Sequence, residues 1–309
     1  SIENPGFYWI KFKQNLEIPV LPIKTNKLIF ANGVFEGWYW FEEIIMAIEN
    51  GVEIIKIEKT ITAQYYDNFI KDFVEINKKI RELGPLHKQI GKNNNNTFYG
   101  RLGMNPERLE EELISSIDES KKYEKVIETN GIYIGYLKKD KSISNVLISA
   151  SITSKARIKL YKGMKEVQKN GGRILYTDTD SIIASFKKEK YINILDKKIG
   201  EVIFDSKKED TIIEDGVFAM PKTYALKYKK TEIVKIKGFN TTPKFEDFKE
   251  KFYKKESIIT ENVEWNKKDL IIKNIKRNKE TNLFSLDKRK WNEDLKTTIP
   301  LELWDVPYK

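Results

Sequence analysis

The stretch Ile174–Ile182, ILYTDTDSI, is the most informative segment of this chain. Its two carboxylates, Asp178 and Asp180, lie two residues apart between two apolar runs, a pattern typical of a β-hairpin with acids at its tip. Carboxylates held this close repel each other, and a divalent cation relieves the repulsion. The pair therefore predicts a metal site. A purely structural turn is the alternative, because Asp and Ser are common turn residues.

A metal held by these carboxylates would have a definite chemistry. Carboxylate oxygens suit Mg²⁺, which keeps several waters and takes substrate phosphates as further ligands. Paired ions of this kind promote phosphoryl and nucleotidyl transfer. The chain has no cysteine and one histidine, which excludes disulfides and thiolate sites and argues against a zinc site built on histidines.

A second informative stretch, Lys88–Pro106, reads KQIGKNNNNTFYGRLGMNP. On the helix that it predicts, one face carries Lys88, Lys92, Asn96 and Tyr99. Two ammonium groups on one face repel unless an anion lies against them, and a triphosphate is a suitable anion. The aromatic ring can pack against a sugar or a base. A solvated Lys/Asn face is the alternative.

Together the two stretches resemble motifs of family B DNA polymerases. YTDTDS (Tyr176–Ser181) resembles motif C, YxDTDS, and Lys92–Gly100 resembles motif B, K-x₃-NSxYG. Lys222–Tyr224 reads KTY and is similar to the KxY signature that follows motif C. The resemblance covers nearly the whole chain and is to the protein-primed subgroup, found in some phages and in linear plasmids of mitochondria and yeast.

The resemblance implies a role for each matched residue. The catalytic, metal-binding carboxylates would be Asp180 and, with a secondary part, Asp178. They would hold two Mg²⁺ ions, with Mn²⁺ as a substitute. The nucleotide-binding residues would be Lys88, Lys92, Asn96 and Tyr99. The residues that bind primer and DNA would be Gly100, Lys222 and Tyr224.

The same resemblance implies an α+β fold. It would combine a family B polymerase palm (an antiparallel sheet with helices), an α-helical fingers hairpin and a small thumb. The domains expected are a first palm part (1–65), the fingers (66–104), a hairpin insertion of the protein-primed subgroup (105–145), a second palm part with motif C and KxY (146–243) and the thumb (244–309).

Local patterns predict the elements of the N-terminal half. Glu42–Asn50 predicts an amphipathic helix ended by Gly51, and a strand is expected to follow at Glu53–Ile57. Two helices are expected to meet at Gly84-Pro85, and Gly100 is expected to end the second. The packing stripe of the first of these two helices would be Phe69, Phe73, Ile76 and Ile80.

Two further elements are predicted before motif C. Asn130-Gly131 is a tight-turn signal within Val126–Leu137 and predicts a hairpin. Ile148–Met164 predicts a helix whose apolar face would be Ile152, Ala156, Leu160 and Met164. Arg157 lies in that helix, and two interpretations stay open: contact with phosphate, or an ion pair with an acid.

The sequence departs from the family pattern at two places. Asn93–Asn95 occupies positions that are usually apolar, so we expect a less stable helix there and expect Asn94→Leu to be harmless or stabilising. Motif A, DxxSLYP, supplies the first catalytic aspartate and is not found in the first 80 residues. The sequence is therefore expected to be the C-terminal part of a longer polymerase.

Two functions follow from these observations. The first is a DNA-directed DNA polymerase fragment that transfers a nucleotide from dNTP to a primer 3′-hydroxyl or a terminal-protein hydroxyl by a two-metal mechanism. The alternative is a non-catalytic DNA-binding remnant that lacks motif A. The partners expected are primer–template DNA, a dNTP and a terminal protein as primer.

Composition agrees with a polyanionic partner. The formal net charge is +10, and Trp265–Lys290 holds nine Lys/Arg against three Asp/Glu, as suits contact with duplex phosphates. An ordinary solvated surface is the alternative for this segment. No apolar run suggests a membrane span, so no membrane partner is expected. The resemblance implies a mitochondrial location, on a linear plasmid or an integrated copy, with a cytoplasmic plasmid or a phage as the alternative.

Overall fold

The computed structural model of the chain describes most of the 309 residues. The ranges described are 2–62, 69–105, 109–114, 123–129, 132–138, 144–187, 198–199, 202–203, 212–266, 273–283, 288–294 and 296–305. The side chain of Phe69, and residues 267–272 and 284–287 of the basic segment Trp265–Lys290, lie outside what is described.

The described residues form helices and short strands in a mixed order. The helices are α1 (Phe41–Glu49), α2 (Phe69–Glu82), α3 (Pro85–Leu102), α4 (Val146–Lys169) and α5 (Phe245–Tyr253), with a 3₁₀ turn at Leu303–Asp305. The strands are β1 (Gly6–Gln14), β2 (Ile23–Lys24), β3 (Leu28–Ile29), β4 (Ala31–Trp40), β5 (Glu53–Thr62), β6 (Leu109–Ile114), β7 (Lys125–Thr129), β8 (Ile132–Lys138), β9 (Arg173–Asp178), β10 (Ser181–Ser185), β11 (Lys198–Ile199), β12 (Val202–Ile203), β13 (Ile213–Met220), β14 (Thr223–Tyr228), β15 (Glu232–Lys235), β16 (Ser257–Asn266), β17 (Lys273–Asn282), β18 (Arg289–Trp291) and β19 (Thr298–Glu302).

The chain divides into two compact units. The first contains Ser1–Tyr8, Tyr39–Phe41 and Thr60–Lys155, and the second contains Trp9–Trp38, Glu42–Lys59 and Ala156–Lys309. The α2–α3 hairpin therefore belongs to the first unit, and the motif C hairpin belongs to the second.

The largest sheet has five strands in the order β18-β19-β4-β1-β5. Strand β1 forms because its apolar residues alternate, so that Ile10, Phe12 and Gln14 are buried while Lys11 and Lys13 are exposed. Strand β19 runs parallel to β4, whereas an antiparallel palm sheet was expected. The segment 298–302, assigned to the thumb by prediction, thus adds a strand to the sheet that contains β1 and β4.

The predicted helix at Glu42–Asn50 is confirmed as α1. It ends where expected, because Gly51 has φ 92° and its amide donates to the carbonyl of Ile48 at 3.0 Å. The strand predicted at Glu53–Ile57 is also confirmed and extends to Thr62 as β5.

A second sheet of the second unit packs on α5. The strand order is β13-β14-β15, and α5 buries Phe245, Phe248 and Phe252 in a core that also contains Val217 and Ala225. The long β16–β17 hairpin pairs in register from Ser257 with Asn282 to Asn266 with Lys273. Tyr224 of KxY therefore lies on the central strand of a sheet that packs on this core.

The first unit contains the predicted helical hairpin. Helices α2 and α3 meet at Gly84-Pro85, where Gly84 has φ 145° and proline occupies the first turn of α3. The predicted packing stripe is wrong at Ile76, which is 58% exposed. The buried position is its neighbour Asn77, so the contact face of α2 is rotated from the apolar pattern.

The hairpin predicted at Val126–Leu137 is confirmed by the pairing of β7 with β8, in which Thr129 lies opposite Ile132. Strand β6 pairs with the other side of β8 and makes a three-stranded sheet. The sequence pattern did not predict this third strand, whose four middle residues include three consecutive glutamates.

Helix α4 leads toward the motif C hairpin and is longer than predicted. Its buried face contains Ser154, Ile158, Tyr161 and Val167. Ala156, which the prediction placed on the apolar face, is exposed. Packing selects a face that runs through a serine and a tyrosine, and apolar periodicity alone does not identify such a face.

Candidate active site and nucleic-acid interface

The carboxylate turn joins β9 to β10 as predicted. Ser181 pairs with Asp178, and Thr179 and Asp180 form the connection. The amide of Asp180 donates to the carbonyl of Asp178 at 2.7 Å, and Thr179 has φ 54°. A β-branched residue rarely adopts a positive φ, so this turn holds its backbone in a strained conformation.

The two carboxylates have different surroundings. Asp178 accepts a hydrogen bond from the hydroxyl of Thr179 at 3.0 Å, and its other oxygen lies 3.4 Å from the Nζ of Lys222. Asp180 is exposed at the tip of the turn. Asp178 is thus engaged by neighbouring side chains, and Asp180 projects toward solvent and whatever ligand approaches the turn.

A second tight turn lies against the carboxylate turn. Met220 pairs with Thr223, so Lys222 lies in the connection between β13 and β14, with φ 62°. The resemblance to KxY would place Lys222 and Tyr224 on one side of a strand, but Lys222 precedes the strand on which Tyr224 lies. Its backbone amide donates to the phenol oxygen of Tyr176 at 2.8 Å.

Three aromatic rings join the two hairpins. Tyr176 stacks on Phe218 with centroids 5.5 Å apart and packs against Tyr224 at 5.2 Å. Burial is the largest effect on the Tyr176 phenol and raises its pKa. The sequence analysis treated Tyr176 only as part of motif C and missed Phe218, whose alternation with buried Val217 and Ala219 on β13 was the available signal.

The structure groups four predicted site residues in the second unit: Asp178, Asp180, Lys222 and Tyr224. The other five lie on α3 in the first unit: Lys88, Lys92, Asn96, Tyr99 and Gly100. The predicted spacing of the α3 residues holds, because the helix is continuous through all of them.

The α3 face has the exposure that ligand binding requires. Lys88, Lys92 and Asn96 are exposed, and Tyr99 is half-buried. The expectation that Gly100 ends the helix is wrong, since α3 continues to the buried Leu102 and the amide of Gly103 donates to the carbonyl of Tyr99 at 3.3 Å. A Cβ added at position 100 would meet no atom within 4 Å.

The opposite side of α3 is held by an amide contact and a close approach. Asn94 donates from Nδ2 to the Oδ1 of buried Asn77 at 2.9 Å, and Asn77 donates to the carbonyl of Phe73 at 2.9 Å. A Cβ on Gly91 would lie 2.7 Å from the carbonyl oxygen of Asn77. Position 94 thus faces α2 as expected, but through an amide.

Arg157 forms an ion pair with a glutamate of α1. Its guanidinium donates to both carboxylate oxygens of Glu43, at 2.6 and 2.8 Å. The Glu43 side chain is fully buried and that of Arg157 is 25% exposed. The pair ties α4 to α1, and the interpretation as an ion pair is the one that the structure supports.

The structure shows two of the ligands that a metal ion would need. Asp178 and Asp180 are hard ligands of the kind that Mg²⁺ prefers. Within the part of the chain that the structure describes, no group of three or more His, Cys, Asp or Glu side chains could hold a metal ion. The two carboxylates could therefore supply some, but not all, of the ligands of a magnesium site. None of the described helices has the length and apolar content of a membrane span.

The chain has a mixed α/β fold in which two tight turns meet, and comparison with known proteins identifies its family. The model of the family DNA polymerase type B, organellar and viral, matches residues 2–169, more than half of the chain. The chain belongs to this family, and the predicted resemblance to family B DNA polymerases is confirmed.

The curated relatives are fungal. A probable DNA polymerase of Podospora anserina is 29% identical over 302 residues, which cover 82% of this chain and 24% of the relative. A probable DNA polymerase of Neurospora intermedia is 28% identical over 289 residues, covering 85% of this chain and 29% of the relative. The chain thus spans about a quarter of the length of the curated relatives that it matches.

Solved structures support the fold. Phi29 DNA polymerase complexed with primer–template DNA has a TM-score of 0.53 and 18% identity, and the match covers 90% of this chain and 50% of that chain. Phi29 DNA polymerase complexed with single-stranded DNA gives a TM-score of 0.53 at 17% identity, with the same coverage. The predicted α+β polymerase fold is confirmed, and the division into palm, fingers, insertion and thumb stays a prediction.

Proposed function

We propose that this chain is part of a DNA-directed DNA polymerase that adds nucleotides from dNTP to a primer 3′-hydroxyl. The observation that carries the proposal is the contact between the Asp178-Thr179-Asp180 turn and the Lys222 turn, both in strained backbone conformations. Strain of this kind is found where a site must hold a fixed geometry. Family membership supports the same activity.

The two carboxylates would hold Mg²⁺, with Mn²⁺ as a substitute, and the open Asp180 would bind more directly than the engaged Asp178. Bound there, the ions would supply charge stabilisation for nucleotidyl transfer. Lys222 would place its ammonium beside Asp178 and offset the repulsion between the acids before a ligand arrives.

The α3 face would bind the incoming nucleotide. Lys88 and Lys92 are exposed cations one turn apart, suited to the negative charge of a triphosphate. Asn96 and Tyr99 would contact the sugar or base. Gly100 would let the DNA approach the helix, since space beside it is open within 4 Å.

The primer end would be held by Lys222 and Tyr224. Tyr224 packs on Tyr176 at 5.2 Å, and Tyr176 anchors the Lys222 turn through its phenol oxygen. A strand end bound here would lie beside the carboxylates, where attack on a nucleotide requires it.

The biological setting is part of the proposal. Initiation would use a hydroxyl of a terminal protein, and the β6–β8 sheet would serve the template-holding role of the protein-primed insertion. The polymerase would act in mitochondria, from a linear plasmid or an integrated copy, with a cytoplasmic plasmid or a phage as the alternative. The fungal relatives and the organellar family support this setting.

The test separates metal-dependent chemistry from DNA affinity. In a chain that also carries an upstream DxxSLYP segment, Asp180→Asn should abolish primer extension and leave binding of primer–template DNA nearly intact. Asp178→Asn should reduce extension less, because that carboxylate already has Lys222 as a partner. Extension by the Asp180 variant at the parental rate would remove the proposal.

The competing function is the non-catalytic DNA-binding remnant. It predicts DNA binding by residues 1–309 and no extension, even when motif A is restored. Primer extension by the restored chain, lost in its Asp180→Asn variant, would exclude the remnant.

A further inference from the structure

The Lys222 turn has a backbone conformation that its sequence does not favour. Two residues, Pro221 and Lys222, connect Met220 to Thr223. The proline ring fixes its own φ at about −65°, and the φ of 62° at Lys222 then has the sign of a type II turn. Glycine and asparagine adopt a positive φ at the third position of such a turn more readily than lysine does. Contacts outside the turn must therefore offset this strain.

One strand holds Lys222 at two points. Tyr176 and Asp178 lie two residues apart on β9 and so project to the same side of it. The phenol oxygen of Tyr176 accepts a hydrogen bond from the backbone amide of Lys222 at 2.8 Å. A carboxylate oxygen of Asp178 lies 3.4 Å from the ammonium of the same lysine. The first contact fixes the backbone of Lys222, and the second engages its side chain.

The backbone contact is the one that can fix the turn. The side chains of Lys222 and Asp178 are 63% and 35% exposed, and solvent screens an ion pair of this kind. The lysine stem is also flexible, so the ammonium can follow its partner through several backbone conformations. A hydrogen bond to the amide is directional. In a type I turn, which relieves the strain, the Pro221–Lys222 peptide is turned over and its N–H points away from Tyr176.

Phe218 places the phenol of Tyr176. The two rings are stacked, with centroids 5.5 Å apart and an interplanar angle of 16°. Tyr224 packs on the same tyrosine at 5.2 Å. Phe218 and Tyr224 pair with each other across the two strands that flank the turn. The Tyr176 ring is thus held by both arms of the hairpin whose turn its hydroxyl reaches.

We infer that Phe218 and the Tyr176 hydroxyl are positioning groups, which hold the Pro221–Lys222 peptide in the orientation that keeps the Lys222 ammonium beside Asp178. Both groups act through Lys222, whose contact with the primer end is part of the proposed function, so the inference rests on that proposal. Without the hydroxyl, the turn relaxes and the ammonium leaves the carboxylate. The primer end is then misplaced, while the nucleotide face of α3 is unchanged.

The first experiment measures hydrogen exchange of the Lys222 amide by NMR. Tyr176→Phe removes the hydroxyl and keeps the stacked ring, so exchange should be faster by about fivefold, the effect of losing one hydrogen bond. A crystal structure of this variant should show a negative φ at Lys222. Asp178→Asn removes only the ionic contact and should leave the exchange rate unchanged. The matched control is Tyr228→Phe, which removes another half-buried phenol of the same hairpin and should exchange as the parent does.

A second variant reaches the same turn through a residue outside motif C and KxY. Phe218→Leu keeps an apolar side chain and removes the ring on which Tyr176 stacks, so it should also speed exchange of the Lys222 amide. The midpoint of thermal unfolding establishes that each variant is folded. Exchange at the parental rate in a folded Phe218→Leu variant would overturn the positioning role of Phe218.

Primer extension tests the consequence for the reaction, in a chain that also carries the upstream DxxSLYP segment. Tyr176→Phe should lower kcat by up to about 100-fold, since a small misplacement of a reacting end has an effect of this size. The KM for dNTP should stay at the parental value, because the nucleotide is proposed to bind on α3. Tyr228→Phe should extend the primer with the parental kcat.

The outcomes distinguish this inference from the proposed function. Parental exchange and a positive φ at Lys222 in Tyr176→Phe would overturn the inference and leave the proposed function standing. Faster exchange with an unchanged kcat would show that the hydroxyl serves only the structure of the turn, and would overturn the inference as well. If the parent does not extend a primer, the proposed function falls and the positioning role falls with it.

Discussion

At the scale of single residues, two glycines of α3 are used in opposite ways. Gly91 is buried and admits the backbone of α2, since a Cβ there would lie 2.7 Å from the carbonyl oxygen of Asn77. Gly100 is exposed and has open space beside it. Folding requires the first glycine and does not require the second.

A pair of variants tests this difference. Gly100→Ala should raise the free energy of unfolding by about 0.5–1 kcal/mol, because alanine is the better helix former. Gly91→Ala, the same change on the same helix, should lower it. If DNA approaches Gly100 as proposed, Gly100→Ala should also weaken duplex binding. Chemical denaturation measures the stability of each variant, and fluorescence anisotropy measures its duplex binding. A Gly100→Ala variant less stable than the parent would contradict the open space beside Gly100.

The buried ion pair is the second feature at this scale. Glu43→Gln removes the carboxylate charge that accepts both guanidinium hydrogen bonds of Arg157, and removal of one partner of a buried pair costs about 3–5 kcal/mol. Since Arg157 is 25% exposed, we expect the lower end of that range in urea unfolding. Glu49→Gln, at the exposed end of the same helix, is the control. Equal stability of the two variants would show that the pair contributes nothing.

At the scale of elements, a hydrogen bond between polar side chains helps to align α2 with α3, where the sequence predicted apolar contacts. Phe73 stacks on Phe98 with ring centres 4.5 Å apart. One turn further along α2, the side-chain amides of Asn77 and Asn94 form a hydrogen bond. This bond fixes which side of α3 faces α2. The Lys88–Lys92 face is thereby left to solvent and ligand.

The structure reverses the expectation for Asn94→Leu. The change removes the donor to the buried Asn77 oxygen, and an unsatisfied buried polar group costs about 1–3 kcal/mol, so the variant should unfold at a lower temperature. Asn93→Leu is the matched control, because the hydrogen bond that it removes joins Asn93 to Gln89, an exposed partner, and leaves no buried group unpaired. Asn77→Leu combined with Asn94→Leu should recover part of the loss, because neither partner is then left unpaired. A stabilised single variant would restore the expectation drawn from sequence.

At the scale of the whole molecule, three tyrosines of the second unit contribute to a loss of stability at alkaline pH. Burial raises the pKa of the Tyr161 phenol above its usual value near 10.0, and burial is also the largest cause of the raised pKa of Tyr176 and Tyr228. Each phenol keeps its proton more tightly in the folded state than in the unfolded chain. Stability is therefore complete below about pH 10 and falls as the pH rises further.

Tyr161→Phe should make this alkaline loss shallower, because phenylalanine has no proton to lose. The measurement is the free energy of unfolding against pH from neutral to strongly alkaline conditions. Tyr253→Phe, at a 51% exposed position on α5, is the control and should follow the parent. A Tyr161 variant with the parental pH dependence would contradict the burial of this phenol.

Many elements of this chain could be predicted from the sequence because they depend on local chemistry. The motif C hairpin, the hairpin around Asn130-Gly131, the break at Gly84-Pro85 and the end of α1 at Gly51 all depend on residues close in the chain. Turn residues and apolar periodicity act over one or two turns of backbone, so they identify such elements without tertiary information. The spacing of Lys88, Lys92, Asn96 and Tyr99 on one face needed nothing more than a helix.

Only the tertiary structure decided the contacts between distant segments. Arg157 and Glu43 are 114 positions apart, and Tyr176 and Lys222 are 46 apart. No local pattern distinguishes Glu43 from the neighbouring Glu42, or a buried Asn77 from an exposed one, because burial is set by what packs on the element. Gly100 shows the same dependence on tertiary packing. A glycine inside a helix costs about 1 kcal/mol, and the burial of Leu102 offsets this cost, so α3 continues beyond Gly100.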